Sequence, residues 1–256
     1  MKLSYLAIAS MLLSSSCTVL FGEGDGGEPF DGADRPLYRF DFETDDELQI
    51  SSGTSSLSVQ LQGNASIRDG SLDLRLTRPG EFGHLRSSTP ADDSLEACQA
   101  SDAMTIAAWI TPTGGDALEN IPSRIITVED IIDDTTNFTL GQGGSGSKSY
   151  DVFTVRVGDR REGIETDVFT FDRNEPMFVF FTMDQGGNYR FHAGAFSEAG
   201  LSTLHYDEWI PGSFLTIGAA SGDERGWQGL IHHIEFYCRA LDLEEEAALR
   251  EATDPR

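Results

Sequence analysis

Apolar and polar residues alternate along most of the chain with a period of two, the pattern of strands that lay one face on a core. Tyr38, Phe40 and Phe42 alternate with Arg39 and Asp41, and Leu72, Leu74 and Leu76 recur on one face of the run that starts at Gly70. From Met104 to Ile110 both parities are apolar or small: Met104, Ile106, Ala108 and Ile110 make one face, Thr105, Ala107 and Trp109 the other. A strand that can be covered on both sides is expected at the centre of its sheet. Further strands are predicted over 124–128, 138–141, 151–157, 177–183, 189–195, 214–218 and 230–237. Loops rich in Gly and Asn separate them, and the five residues from Asp184 to Asn188 predict a β-hairpin between two alternating runs. Helical spacing is confined to Leu241 to Ala252, where Ala248, Leu249 and Ala252 share a face and Glu244, Glu245 and Glu246 stand at the acid-favouring start. About ten short strands divided by turns predict an all-β fold: a two-sheet antiparallel jelly-roll sandwich with a short C-terminal helix.

The first residues break this pattern. Lys2, an apolar run to Leu13 and the small residues Ser14, Ser15 and Ser16 have the three-part anatomy of a secretory signal. The run is too short to span a bilayer comfortably, which takes ~20 apolar residues. Cys17 directly after it resembles the lipobox of bacterial lipoproteins, with Ser14 where Leu is usual and Leu13 one step back. That resemblance implies cleavage before Cys17 and its acylation; a plain signal peptide cut elsewhere is the alternative. The expected organisation is a signal at 1–16, a Gly- and acid-rich tether at 17–36 and one sandwich domain at 37–256. The expected location is outside the cytoplasm, in a bacterial cell envelope, touching the membrane through the lipid anchor only. Three cysteines are an odd count for an exported protein. With Cys17 acylated, Cys98 and Cys238 remain as a disulfide pair, two separately buried thiols being the alternative.

Charge narrows the partners. The chain has 18 Lys and Arg against 43 Asp and Glu, a net charge of -25. A surface of that sign excludes nucleic acid and anionic lipid head groups as ligands, since both need a basic face. Within the strand 230–237, His232 and His233 point to opposite faces and cannot chelate one metal together. His232 shares its parity with Ile234 and Phe236 and reads as a packed histidine.

Four blocks together resemble a known family: 104–112 (MTIAAWITP), 124–128 with 137–142 (RIITV and NFTLGQ), the hairpin from Val179 to Gly194, and 226–241 (GWQGLIHHIEFYCRAL). They are similar to laminin G-like and pentraxin-like domains of the concanavalin A-like lectin/glucanase superfamily, over about Leu37 to Ala252. The resemblance implies a jelly roll, in agreement with the strand count. It leaves function open, because such domains bind carbohydrate, bind protein, cleave glycans or act as spacers. Laminarinase-like relatives carry alternating acids on one strand. Here Glu129 and Asp133 share a parity while Asp130 and Asp134 take the other, so that alternation is missing and no enzyme is expected. Pentraxins gather calcium from two loops. Asn137 matches their asparagine, Thr136 stands where an acid is expected, and Asp133, Asp134, Asp223 and Glu224 would supply the remaining oxygens where the loops meet. Trp209, with Tyr206 beside it, is the most loop-like aromatic and the expected ligand contact. The expected function is an exported, lipid-anchored, non-catalytic module binding a glycan or another envelope or extracellular ligand. The alternatives are a purely structural envelope protein and a glycan hydrolase built on Glu129 and Asp133.

Overall fold

The computed structural model describes residues 35–44, 47–52, 57–75, 82–113, 123–130, 136–143, 151–158, 163–167, 172–204, 206, 209–220 and 226–255. In chain order its elements are β1 (Tyr38–Thr44), β2 (Glu47–Ser52), β3 (Val59–Gln62), β4 (Ser66–Arg68), β5 (Ser71–Asp73), β6 (His84–Ser87), α1 (Asp92–Ser101), β7 (Met104–Pro112), β8 (Ser123–Glu129) and β9 (Thr136–Gln142). There follow β10 (Phe153–Val157), β11 (Ile164–Glu165), β12 (Met177–Met183), β13 (Asn188–Ala193), β14 (Phe196–Leu201), β15 (Phe214–Ile217), β16 (Gly229–Tyr237) and α2 (Leu243–Ala252).

Two antiparallel sheets face each other, as the period-two pattern predicts. The first runs β14-β13-β12-β7-β16-β1-β2, with β5 also on β16 and β4 on β5; the second runs β11-β10-β9-β8-β15-β6-β3. The strand with two apolar faces, β7, lies in the middle of the first sheet, between β12 and β16. Its Met104, Ile106, Ala108 and Ile110 join the core between the sheets, together with Phe40, Phe181 and Phe236. Across that core, Phe138 of β9 meets Phe236 of β16 edge to face, with centroids 5.9 Å apart. On the outer side of β7, Ala107 and Trp109 join Phe178, Phe180, Tyr237 and Leu241 in a second cluster that Leu249 of α2 covers.

The C-terminal helix starts where its acids predict. Asp242 caps it by accepting from the Glu244 and Glu245 amides, and the Glu245 side chain accepts from the Asp242 amide in return. The Asp184–Asn188 hairpin forms as well: Asp184 Oδ1 accepts from the amides of Gly186 and Asn188, each at 2.9 Å. Gly187 closes the turn at φ 77, and a Cβ there would collide with the Ser202 carbonyl.

Three expectations are corrected. Helix is not confined to the C-terminus, because α1 occupies Asp92–Ser101; among its described side chains Cys98 is buried while Glu96, Ala97 and Ala100 are exposed. The leucine run at 70–76 gives only the short β5, because the Asp73 carboxylate turns back onto Arg75, with oxygen-to-nitrogen distances of 2.6 and 2.9 Å; Leu76 lies outside the described residues. His232 does not share a face with Ile234 and Phe236. On β7, Ile231 pairs Ile110 and His233 pairs Trp109, so His232 is the extra residue of a β-bulge and parity inverts across it.

The predicted disulfide is formed. Cys98 of α1 is bonded to Cys238, the residue after β16, with Cα atoms 4.3 Å apart.

Candidate functional site

The residues expected to bind ligand are placed as follows. Tyr206 is fully buried, and its ring meets that of Trp209 edge to face at 5.5 Å. Burial, with the nearby charge of Asp102, pushes the Tyr206 hydroxyl well above its ordinary pKa. Trp209 is 5% exposed and borders a cavity of about 180 Å³ with Asp92, Glu96, Gln99, Ile210 and Pro211. That is below the ~300 Å³ at which small-molecule pockets begin. The segment is held by α1: Gln99 donates to the Trp209 carbonyl at 3.0 Å, and Asp92 accepts from the Gly212 amide at 2.8 Å. Neither aromatic therefore offers a ring face on which a sugar could stack, which corrects their reading as ligand contacts.

Asn137 is structural in its surroundings. Its Nδ2 donates to the Ile210 carbonyl and the Ser213 hydroxyl, both at 2.8 Å, and its Oδ1 accepts from the Ile210 amide at 2.7 Å. The carboxamide thus ties β9 to the loop before β15. The other residues expected to hold calcium, Asp133, Asp134, Asp223 and Glu224, lie outside the described residues, as does Cys17. Among the described residues no group of three or more His, Cys, Asp and Glu side chains is placed to hold a metal ion. Also among the described residues, no helix is long and apolar enough to cross a membrane.

Polar chemistry gathers instead on the outer face of the second sheet. Because Val59, Leu85, Val128, Phe138, Leu140, Val155, Leu215 and Ile217 point into the core, their alternates point away from it. Strand register aligns those alternates in one row. Gln60 pairs Arg86, Arg86 pairs Thr216, Thr216 pairs Thr127, Thr127 pairs Thr139 and Thr139 pairs Arg156. From Arg86 to Arg156 the row crosses four strand spacings, about 19 Å. The Thr127 and Thr139 hydroxyls are hydrogen-bonded to each other at 2.9 Å. In the adjoining row Phe214 pairs Glu129, and the Arg86 guanidinium lies over the Phe214 ring, 4.7 Å from its centroid.

Two atoms of this row are unusual. Thr216 is 1% exposed and its Oγ1 has no hydrogen-bond partner; beside it, the buried Nη2 of Arg86 has none either. A buried polar group left in that state costs about 1–3 kcal/mol, more when it is charged. Such groups are rare in folded proteins and call for an explanation. The row is deepest at Thr216, Thr127 and Thr139, and it opens toward β3, where Gln60 and Gln62 are exposed and Arg86 and Phe214 are half-buried. Nothing in the one-dimensional pattern marks it, since each threonine is only the polar alternate of its own strand.

A second concavity, of about 420 Å³, lies between β13 and α2 and is lined by His192, Leu243, Glu246, Ala247, Arg250, Glu251 and Asp254. Three of its charged or titratable groups, His192, Glu246 and Arg250, are engaged in docking the helix. His192 Nδ1 contacts Glu246, Arg190 approaches the same carboxylate at 3.6 Å, and Arg250 lies over Phe178.

Comparison with known proteins follows this geometry. No curated protein matches the chain. Among solved structures, the binding domain of botulinum neurotoxin DC, in complex with rat synaptotagmin II, superposes with a TM-score of 0.62 at 12% identity, over 88% of this chain and 53% of that one. A structure titled for the dependence of botulinum neurotoxin type C cell entry on two ganglioside molecules gives 0.64 at 13% identity, over 87% and 52%. The present chain thus corresponds to about half of each toxin domain. Domain 4 of AbnA, a GH43 extracellular arabinanase from Geobacillus stearothermophilus, in complex with arabinotriose, gives 0.57 at 13% identity, over 84% of this chain and 98% of that one. At such identities the likeness is one of fold. The Laminin G family model described as the concanavalin A-like lectin/glucanases superfamily matches residues 86–245, well over half of the chain. With that match and two facing antiparallel sheets, the chain belongs to the concanavalin A-like lectin/glucanase superfamily.

Proposed function

We propose that the chain is an exported, non-catalytic carbohydrate-binding module, held at the cell envelope through Cys17, whose glycan lies along the polar row of the second sheet. The observation that carries this reading is the edge of that row at β3 and β6, where Gln60 and Gln62 are exposed and the half-buried Arg86 guanidinium lies over the half-buried Phe214 ring. The carboxamides donate and accept, as sugar hydroxyls do. The ganglioside and arabinotriose in the titles of its structural neighbours give the glycan reading further support. The two carboxylates on the described strands of this face, Glu129 on β8 and Glu165 on β11, lie three strands apart. That is about 14 Å at least, beyond the roughly 5–9.5 Å across which a glycosidase pair works, and it favours binding without cleavage.

The test is a glycan panel on the purified full chain with Gln60→Ala alongside. Binding of a glycan by the wild type, weakened about fivefold or more by loss of one hydrogen-bonding carboxamide in Gln60→Ala, is the expected result. Silence across the panel, or binding that Gln60→Ala leaves unchanged, contradicts it. Repeating the panel in EDTA reads whether Asp133, Asp134, Asp223 and Glu224 bring calcium into the interaction.

A further inference from the structure

The first sheet ends on β14, and among the described residues no strand pairs its outer edge. An open edge is a template for pairing, which proteins guard with Lys, Pro, a bulge or brevity. At the ends of the second sheet the guard is brevity: β3 has four residues and β11 two. β14 has six, Phe196 to Leu201, in unbroken register along β13, and none of them is Pro, Lys or Arg. Leu201 at its end is 73% exposed, the most of any large hydrophobic residue described, and Leu243, at 64%, borders the concavity over His192, which pairs Ser197. The hairpin is also poor in charge. With 43 acids in 256 residues, about three would fall among the twenty from Gln185 to Leu204, yet Glu198 is the only one. Its carboxylate already accepts from the Tyr189 hydroxyl, at 2.7 Å.

Sheet geometry restricts how a second copy joins this edge. Glu198 and Gly200 stand opposite Phe191 and Tyr189, on the side of the core, while Ser197, Ala199 and Leu201 stand opposite His192, Arg190 and Asn188 on the outer side. Two identical strands related by a two-fold axis through the sheet keep both cores on one side only when residues of the same parity face each other. A centre at Glu198 sets two carboxylates opposite one another, which is destabilising. A centre at Ala199 sets Glu198 against Gly200, Ser197 against Leu201 and Ala199 against itself. Position 200 suits that register because it carries no side chain; a Cβ there would meet the Tyr189 hydroxyl oxygen at 2.7 Å. We propose that β14 is a dimer edge: a second copy of this chain adds its own β14 antiparallel, centred on Ala199, and the first sheets of the two copies become one.

The experiment uses the full chain carrying Cys17→Ser, so that the only other cysteines are those of the disulfide. It is run at about 1 M NaCl, which screens the repulsion between two copies of net charge -25 beyond ~3 Å. Sedimentation equilibrium is expected to show a dimer with a Kd of about 1–100 μM, in keeping with a contact smaller than the ~1,600 Å² of standard interfaces. Leu201→Lys supplies the guard that the edge lacks and is expected to raise that Kd about tenfold or more. Under mild oxidation Ala199→Cys is expected to cross-link two copies, because residues directly opposite have Cα atoms about 4.5–5.5 Å apart. Ser197→Cys is not, because the two thiols then sit about 14 Å apart along the strands, beyond the ~7 Å limit of a disulfide. A melting temperature like that of the parent chain establishes that each variant is folded. A chain that stays monomeric up to about 1 mM overturns the proposal, as does a dimer that Leu201→Lys leaves intact. Failure of position 199 to cross-link more readily than position 197 overturns it as well.

Discussion

A hydroxyl and a guanidinium side by side on a sheet need no explanation when water reaches both, but Thr216 is 1% exposed and has no partner. The contrast with Thr127 and Thr139, which bond each other one and two strands away, shows that this face can pair its own hydroxyls. His232 is another residue whose surroundings decide its role. It sits in the β16 bulge between the hydroxyls of Ser71 and Thr111, at 2.7 and 2.8 Å, and burial holds its pKa below the usual 6.5. Protonation below about 6.5 then favours the unfolded chain, so stability is lost as pH falls through that value. Glu235 adds a second loss at lower pH. Burial alone would raise it, but hydrogen bonds from His233 and Tyr237, helped by Arg39, hold it below 4.5, and that stabilisation disappears as it is protonated. Melting temperatures are therefore expected to fall from pH 7.5 to pH 5.5, and less so in His232→Gln. An identical pH slope in the variant contradicts the assignment. The apolar neighbours Ile234 and Phe236 suggest a packed histidine, but its contacts are the hydroxyls of Ser71 and Thr111. Its orientation could not be read, because a bulge inverts parity and leaves no mark in a period-two pattern.

At the scale of elements, the disulfide joins the helix that approaches the central strand β7 to the end of its neighbour β16, across 140 residues of chain. Closing so long a loop restricts the unfolded state, and its loss costs on the order of 2–5 kcal/mol. Replacing Cys98 and Cys238 by Ser is expected to lower the denaturant midpoint of the oxidised protein to that of the reduced wild type. An unchanged midpoint contradicts the bridge. Because α1 and its C-cap Asp102 also hold Tyr206, Trp209 and Gly212, the variant is expected to loosen residues 209–213 first. The well-read elements were those with long, strongly patterned faces, such as β7, β12 and β16, and the capped helix α2. The elements missed lacked such faces: β2, β3, β4 and β6 have three to six residues, β11 has two, β14 is nearly all exposed, and among the described side chains of α1 only Cys98 is buried. The row of Gln60, Arg86 and three threonines was illegible for a related reason. It is assembled by register across six strands, and register is not written in any one of them.

At the scale of the whole molecule, α2 covers one outer face of the sandwich, and on the other the polar row is buried at Thr127, Thr139 and Thr216 and exposed toward β3. The proposed anchor would hold that face at a membrane surface. Cys17→Ser is expected to move the protein from the membrane to the soluble fraction and to remove the mass of the acyl groups from the mature chain. Membrane association that persists in Cys17→Ser contradicts the anchor. The central claim is that a glycan lies along the polar row of the second sheet. It is tested most directly by amide hydrogen exchange of the full chain, with and without a saturating glycan identified in the panel. The account predicts new protection over 59–62, 84–87 and 214–217, the strands β3, β6 and β15. Protection confined to residues 209–213 or to the face between β13 and α2 would contradict it.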